Sequence, residues 1–135
     1  MFAPTTRILV VDDMMTMRKL ISKALKDMGF KDITEAPDGV VAWETVSAAA
    51  PPIGLIISDW NMPNCSGLDF LKRVRADSRY SKTPFVLVTA ESEAKQVAEA
   101  LKAGVSHYVV KPFTPDNLKA RIEETYKKVN AAQAA

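Results

Sequence analysis

The residues that build metal and redox sites are nearly missing from this chain: it has one cysteine, Cys65, and one histidine, His107. A structural zinc site takes four nitrogen or sulfur ligands and a disulfide takes two thiols, so neither can form within the chain. An excess of one charge is missing too, since 18 basic and 16 acidic side chains leave a formal net charge of +2. A dedicated nucleic-acid binder needs a basic stripe that displaces counterions, so no nucleic-acid partner is expected. Lys119, Arg121, Lys127 and Lys128 alternate with Glu123 and Glu124, which reads as a solvated helix face. No apolar run approaches the roughly 20 residues of a membrane span. The opening Met1-Phe-Ala-Pro-Thr-Thr-Arg7 has no apolar h-region, so no signal peptide is expected. A cytoplasmic protein without a membrane partner is the expectation.

What is present is a regular alternation of apolar runs and helical patterns. With 47% apolar and 25% charged residues, the 135 residues suit one globular domain over 1–135, its core spanning about 7–129 and its tail 130–135 frayed. Arg7-Ile-Leu-Val-Val11 is a β-branched run that ends in Asp12-Asp13. From Thr16 the period becomes helical, with Met17, Leu20, Ile21, Ala24, Leu25 and Met28 on one face and Gly29 as a stop. Ile33-Thr34 is a weak strand, and Asp38 caps a helix carrying Val40, Trp43 and Val46. Leu55-Ile-Ile-Ser58 ends in Asp59, and Gly67 precedes a helix with Leu68, Leu71 and Val74 inward. Phe85-Val-Leu-Val88 ends in Thr89, and the pattern predicts a helix from about Glu91 to Ala103 closed by Gly104. His107-Tyr-Val-Val110 ends in Lys111-Pro112; Thr114 and Pro115 then open a helix bearing Leu118, Ile122 and Val129. Continuous apolar strands separated by helices predict an α/β fold with a parallel sheet, doubly wound, with helices on both faces.

In such sheets ligands bind beyond the carboxyl ends of the strands. The residues at those ends are Asp12, Asp13, Asp59, Thr89 and Lys111. Taken singly, an aspartate after a strand is ordinarily a turn residue, the lysine a surface charge and the threonine a turn hydroxyl. Their convergence from four strands is the signal. Gathered carboxylates repel one another unless a cation intervenes. A hard divalent ion suits them, and Mg²⁺ best, because it uses one or two carboxylates and keeps water and phosphate oxygens as its other ligands. Lys111 and Thr89 could hold the remaining oxygens of a phosphoryl group, and Asp59 could attack phosphorus to give an aspartyl phosphate. A nucleotide or flavin binder is the competitor from fold alone. Its phosphate loop would follow the first strand, where this chain has Asp12-Asp13-Met14-Met15-Thr16, without glycine and with two negative charges. That loop repels phosphate.

Val10-Val-Asp-Asp13, Ser58-Asp-Trp-Asn-Met-Pro63, Val88-Thr-Ala-Glu91 and Tyr108-Val-Val-Lys-Pro-Phe-Thr114 together resemble the response-regulator receiver family. Thr16-Met17-Arg18 and Asp59-Trp60-Asn61-Met62-Pro63 are most similar to its chemotaxis members, and the likeness runs from about Arg7 to Val129. The resemblance implies the flavodoxin-like, five-stranded sheet with order 2-1-3-4-5. It implies Asp59 as phosphoacceptor, supplied by a histidine kinase of the chemotaxis type or by acetyl phosphate. Mg²⁺ would be held by Asp13, Asp59 and the backbone carbonyl of Asn61, with Asp12 acting through water. Lys111 would contact phosphoryl oxygens, and Thr89 would move its hydroxyl towards them. Tyr108 would swing inward as Thr89 moves, and the Lys111-Pro112 peptide would be cis. Asn61 and Glu91 would tune dephosphorylation.

The resemblance further implies a partner surface of Ser92, Val97, Tyr108, Val110 and Arg121, receiving a short helix of the flagellar motor switch protein. Val97 and Val110 are equally consistent with core positions. A phosphatase partner, a monomer and no turnover of a separate substrate complete these expectations; the chain would not be an enzyme in that sense. The alternative is a phosphate sink or phosphorelay intermediate without motor binding. The chain departs from the family at several points. Ser66 stands where an acidic residue commonly precedes the glycine, and Cys65 adds a thiol that reads as inert. Ala48-Ala-Ala-Pro-Pro52 is about two residues longer, and Glu124 replaces a basic residue.

Overall fold

The computed structural model describes residues 1–90 and 94–134. Elements alternate as β1 (Arg7–Val11), α1 (Met15–Asp27), β2 (Asp32–Ala36), α2 (Gly39–Ala48), β3 (Leu55–Asp59), α3 (Gly67–Ala76), β4 (Phe85–Ala90), α4 (Ala94–Lys102), β5 (His107–Lys111) and α5 (Pro115–Ala134). The strands form one parallel sheet in the order β2-β1-β3-β4-β5. The expected fold class and strand order are therefore those observed.

Strand alternation divides the interior in two. Val10, Ile57, Val86, Val88 and Val109 face α1 and α5, where Ile21, Leu25, Leu118 and Ile122 cover them. Leu9, Val11, Ile56, Phe85 and Leu87 face the other way, against Ala42 and Val46 of α2, Phe70, Leu71 and Val74 of α3 and Ala100 of α4. Every side chain of β3 is buried, as a central parallel strand requires.

Helix ends follow local chemistry. After α1, Gly29 (φ 103°) donates its N–H to the Lys26 carbonyl while Phe30 donates to Leu25; after α4, Gly104 (φ 90°) and Val105 donate to Leu101 and Ala100. Both are Schellman closures, which need a left-handed residue and so favour glycine. Asp38 caps α2 by accepting from Val41 N–H, and Ser66 caps α3 by accepting from Asp69 N–H. Thr114 and Asn117 cap α5 reciprocally, each side chain accepting from the other's backbone N–H.

Several expectations require correction. The first helix begins at Met15 rather than Thr16, because the Asp12 carboxylate takes the Met14 N–H and Arg18 N–H closes the first turn on the Met14 carbonyl. Leu20 and Val40 are 51% and 42% exposed instead of inward. In α2 a Cβ on Gly39 would approach Cys65 Sγ to 2.6 Å, so the helix turns its glycine to that side and Val40, about 100° further round, to solvent. Strand β2 is longer than the Ile33-Thr34 pair predicted. Helix α5 is drawn through Ala134, across most of the 130–135 tail. Of the helix expected over 91–103, the described part is Ala94–Lys102; Glu91 lies outside the described residues.

Two close approaches fix the ends of the sheet. At the carboxyl end, Gly67 N–H donates to the Trp60 carbonyl, and a Cβ on Gly67 would collide with the Asp59 carbonyl oxygen. At the opposite end the Arg75 guanidinium donates to the carbonyls of Thr83 (2.7 Å), Gly104 (2.8 Å) and Tyr80 (3.3 Å), tying α3 to the loops that enter β4 and β5. Gly67→Ala should lower stability by about 1–3 kcal/mol, the usual cost of overpacking. Urea unfolding followed by circular dichroism checks this through a lower midpoint at unchanged slope.

Candidate functional site

Parallel strands deliver their carboxyl ends to one rim, and alternation then decides what points where. Asp12, Asp59 and Lys111 follow the parity of Val10, Ile57 and Val109, so all three turn to the α1/α5 side of the rim. Asp12 is fully buried and Asp59 is 7% exposed. Lys111 Nζ lies 3.0 Å from Asp59 Oδ1 and 3.6 Å from Asp12 Oδ2. Asp13, which follows Asp12, is exposed at the mouth. One carboxylate oxygen from each of Asp12, Asp13 and Asp59 lies within 4.8 Å of the others.

Charge is unbalanced in this cluster. Three carboxylates against the Lys111 ammonium leave two negative charges, the complement of one divalent cation. Hydrogen bonding is unbalanced in the same place. Asp12 Oδ1 accepts from Met14 N–H (2.9 Å), but the buried Oδ2 has no hydrogen-bond partner among the described residues. A buried acceptor without a donor is costly unless something else meets it. An all-oxygen, carboxylate-rich donor set with an orphaned oxygen fits a hard ion such as Mg²⁺. Asn61, whose backbone carbonyl was expected to join this set, sits exposed in the β3–α3 loop two residues beyond Asp59.

Burial dominates the ionisation of the inner pair. It pushes the Asp59 carboxyl above the ordinary value of 3.8, with the Lys111 ammonium pulling the other way. It pushes the Asp12 carboxyl up as well, opposed by the Met14 amide and reinforced by the Asp59 charge. Arg18 fixes the loop beneath: its Nη1 donates to the Asp12 carbonyl at 2.7 Å while its Nε meets Glu35 at 3.3 Å.

The fifth expected residue is turned elsewhere. Thr89 shares the rim but has the parity of Leu87, towards α3 and α4. Its Oγ1 donates to Gln96 Oε1 at 3.1 Å, so its hydroxyl is committed to α4. Gln96 escaped the sequence reading because a glutamine on a helix is ordinarily solvated; only the fold brings it onto Thr89. Ser66, unexpected in place of an acid, is explained by its capping role. Cys65 packs against Gly39, and burial raises its thiol pKa, which suits an inert residue.

Among the expected partner residues, Tyr108 is half-buried with its ring edge-on to His107 at 5.6 Å. Val97 and Val110 are half-buried rather than core. Val110 and Arg121 line a cavity of about 330 Å³ between β5 and α5, beside Lys111 and Asn117. Glu124 binds both Arg121 (2.9 Å) and His107 (2.7 Å), so the acidic replacement on α5 is paired within the protein. Ser92 and Glu91 lie outside the described residues. Among the described residues no helix is long and apolar enough to cross a membrane.

Comparison with known proteins gives the same reading. Residues 8–123 match the response regulator receiver domain. The chain is 48% identical to chemotaxis protein CheY1 of Helicobacter pylori over 117 residues, 87% of this chain and 94% of that one. It is 44% identical to chemotaxis protein CheY of Pseudomonas aeruginosa, over 92% of this chain and 98% of that one. The structure of chemotaxis response regulator CheY4 of Vibrio cholerae superposes with a TM-score of 0.82 at 33% identity, covering 90% of this chain and 98% of that one.

The raised carboxyls carry a pH signature. Between 3.8 and the raised values the folded chain holds more protons than the unfolded one, so stability from this source is full below 3.8 and is lost as pH rises through the folded values. With divalent ions chelated, Asp12→Asn should therefore unfold about 2–6 °C higher than the parent at neutral pH. The difference should vanish as pH falls below the ordinary carboxyl value; calorimetry across that range checks it, and a pH-independent gap would refute the charge argument.

Proposed function

The chain belongs to the response regulator receiver domain family, and from that premise we propose that it is a chemotaxis regulator, phosphorylated on Asp59 and read by another protein. The observation that carries this reading is the cluster at the carboxyl end of the sheet: three carboxylates, one ammonium and an orphaned buried oxygen.

In the proposed reaction an Asp59 carboxylate oxygen attacks the phosphorus of a phosphohistidine on a kinase, or of acetyl phosphate. The new O–P bond forms as the bond to the donor breaks, and the leaving imidazole or acetate takes the electron pair. Asp13, Asp59 and the Asn61 carbonyl, with Asp12 through water, would hold Mg²⁺, whose contribution when bound is to neutralise charge between carboxylates and phosphoryl oxygens. Lys111, already 3.0 Å from Asp59, would release its ion pair to contact a phosphoryl oxygen. Thr89 would supply a hydroxyl to another. Water reverses the modification by attacking the same phosphorus, at a rate that Asn61 and Glu91 would tune.

The aspartyl phosphate acts by population shift, bonding only to the arrangement in which Thr89 and Tyr108 have moved. The proposed reader is a flagellar motor switch protein, on a surface that includes Ser92, Val97, Tyr108, Val110 and Arg121. The chemotaxis names of the relatives support a chemotactic role, and the resemblance carried by Tyr108 and Trp60-Asn61 favours this partner over a phosphate sink. A cytoplasmic monomer that catalyses only its own modification is part of the same proposal.

Trp60, 8% exposed and adjacent to Asp59, is the natural reporter. Trp43, flanked by Tyr80 and Arg73, supplies a background that the Asp59→Asn variant should share. Tryptophan fluorescence should change when acetyl phosphate is added with Mg²⁺, and intact protein should gain one phosphoryl mass. Asp59→Asn should abolish both. Retention of the mass gain in that variant would move the acceptor elsewhere.

A further inference from the structure

Thr89 is set apart from the rest of the site by the two-residue repeat of its strand. Asp12, Asp59 and Lys111 share the parity that faces α1 and α5, whereas Thr89 shares that of Leu87, which faces α3 and α4. Its side chain is 2% exposed, so its hydroxyl has little recourse to water. The partner it finds is Gln96 Oε1, at 3.1 Å; the Ala90 carbonyl, at 3.5 Å, is at the outer limit of a hydrogen bond.

A threonine hydroxyl has one proton to donate. While that proton is on Gln96 it cannot serve an oxygen bound to Asp59. We propose that Gln96 is a positioning residue that latches Thr89 towards α4, so that occupation of Asp59 must break the Thr89–Gln96 hydrogen bond. This rests on the reading of Asp59 as phosphoacceptor and of Thr89 as a ligand to the phosphoryl group. It adds a residue outside the carboxylate cluster that sets the resting position of the switch. It also supplies a direct link to the helix: Gln96 lies beside Val97 on α4, so release of the latch frees a side chain next to the proposed partner surface.

A latch on the resting arrangement lowers the competent fraction, and with it the apparent affinity for any phosphoryl group. Removing a neutral hydrogen bond of ordinary strength should raise that affinity about fivefold. A charged acceptor in its place should lower it by a similar factor, because charge-assisted hydrogen bonds are roughly twice as strong.

The test uses the full chain with Mg²⁺ and beryllofluoride, a phosphoryl mimic that binds reversibly, titrated against Trp60 fluorescence. Gln96→Leu keeps the bulk and removes the acceptor; its half-saturating concentration should fall about fivefold. That of Gln96→Glu should rise several-fold. In a Thr89→Ala background neither substitution should change it, because a double-mutant cycle isolates the shared contact. Without any ligand, NMR couplings across the Thr89 χ1 bond should report one rotamer in the parent and averaging in Gln96→Leu. Shifts that persist in the Thr89→Ala background, or identical couplings in parent and Gln96→Leu, would overturn the latch. Silence of the parent protein towards beryllofluoride would instead overturn the phosphoacceptor reading, leaving the ligand-free couplings to decide the latch.

Discussion

The Lys111–Asp59 contact, 3.0 Å long at a nearly closed rim, is the interaction on which the rest of this structure turns. Burial raises the cost of ionising Asp59, and the ammonium offsets part of that cost. A second carboxylate, Asp12, lies close behind with an oxygen to which no described residue donates a hydrogen bond. A core that only had to be stable would place apolar side chains here, since removing buried charges is often neutral or stabilising. The scaffold meets the demand by rigidity instead: β3 is wholly buried between β1 and β4, and the strand's last residue has almost no room to withdraw.

Much of this was legible in the residues because period and punctuation agree along the chain. The runs 7–11, 55–58, 85–88 and 107–110 are apolar, and each is followed by a residue of the rim. Gly29 and Gly104 end their helices where a left-handed residue is needed, and Thr114-Pro115 opens the last helix as its chemistry dictates. The convergence of Asp12, Asp13, Asp59 and Lys111 then followed from strand ends alone. What stayed hidden depends on how elements rotate about their axes. Leu20 and Val40 are apolar yet outward, because neighbouring turns, not the pattern, choose the buried stripe. The orientation of Thr89 was hidden for a related reason. Its place at the rim is a matter of sequence, but its side of the sheet depends on parity and its partner on the docking of α4.

Glycine 67 shows how tightly chemistry and packing are joined. The chain turns back after Asp59 so closely that the first residue of α3 touches the Asp59 carbonyl, and only hydrogen fits between them. A substitution with no charge and no hydrogen-bonding group could thus displace Asp59. The neighbouring Cys65 and Gly39 form a second contact of this kind, which sets the rotation of α2. Much of the precision of the site is therefore supplied by residues that never touch a ligand.

Arg75 gives the molecule a fixed pole. By holding the carbonyls of Tyr80, Thr83 and Gly104 it pins the chain where it enters β4 and β5, at the end of the sheet remote from the carboxylates. Thr89 and Lys111 stand at the other ends of the same two strands, one strand length from this anchor. The loops that enter these strands are thus bound to α3, while the residues near their far ends are held by different contacts, Thr89 by Gln96 and Lys111 by Asp59.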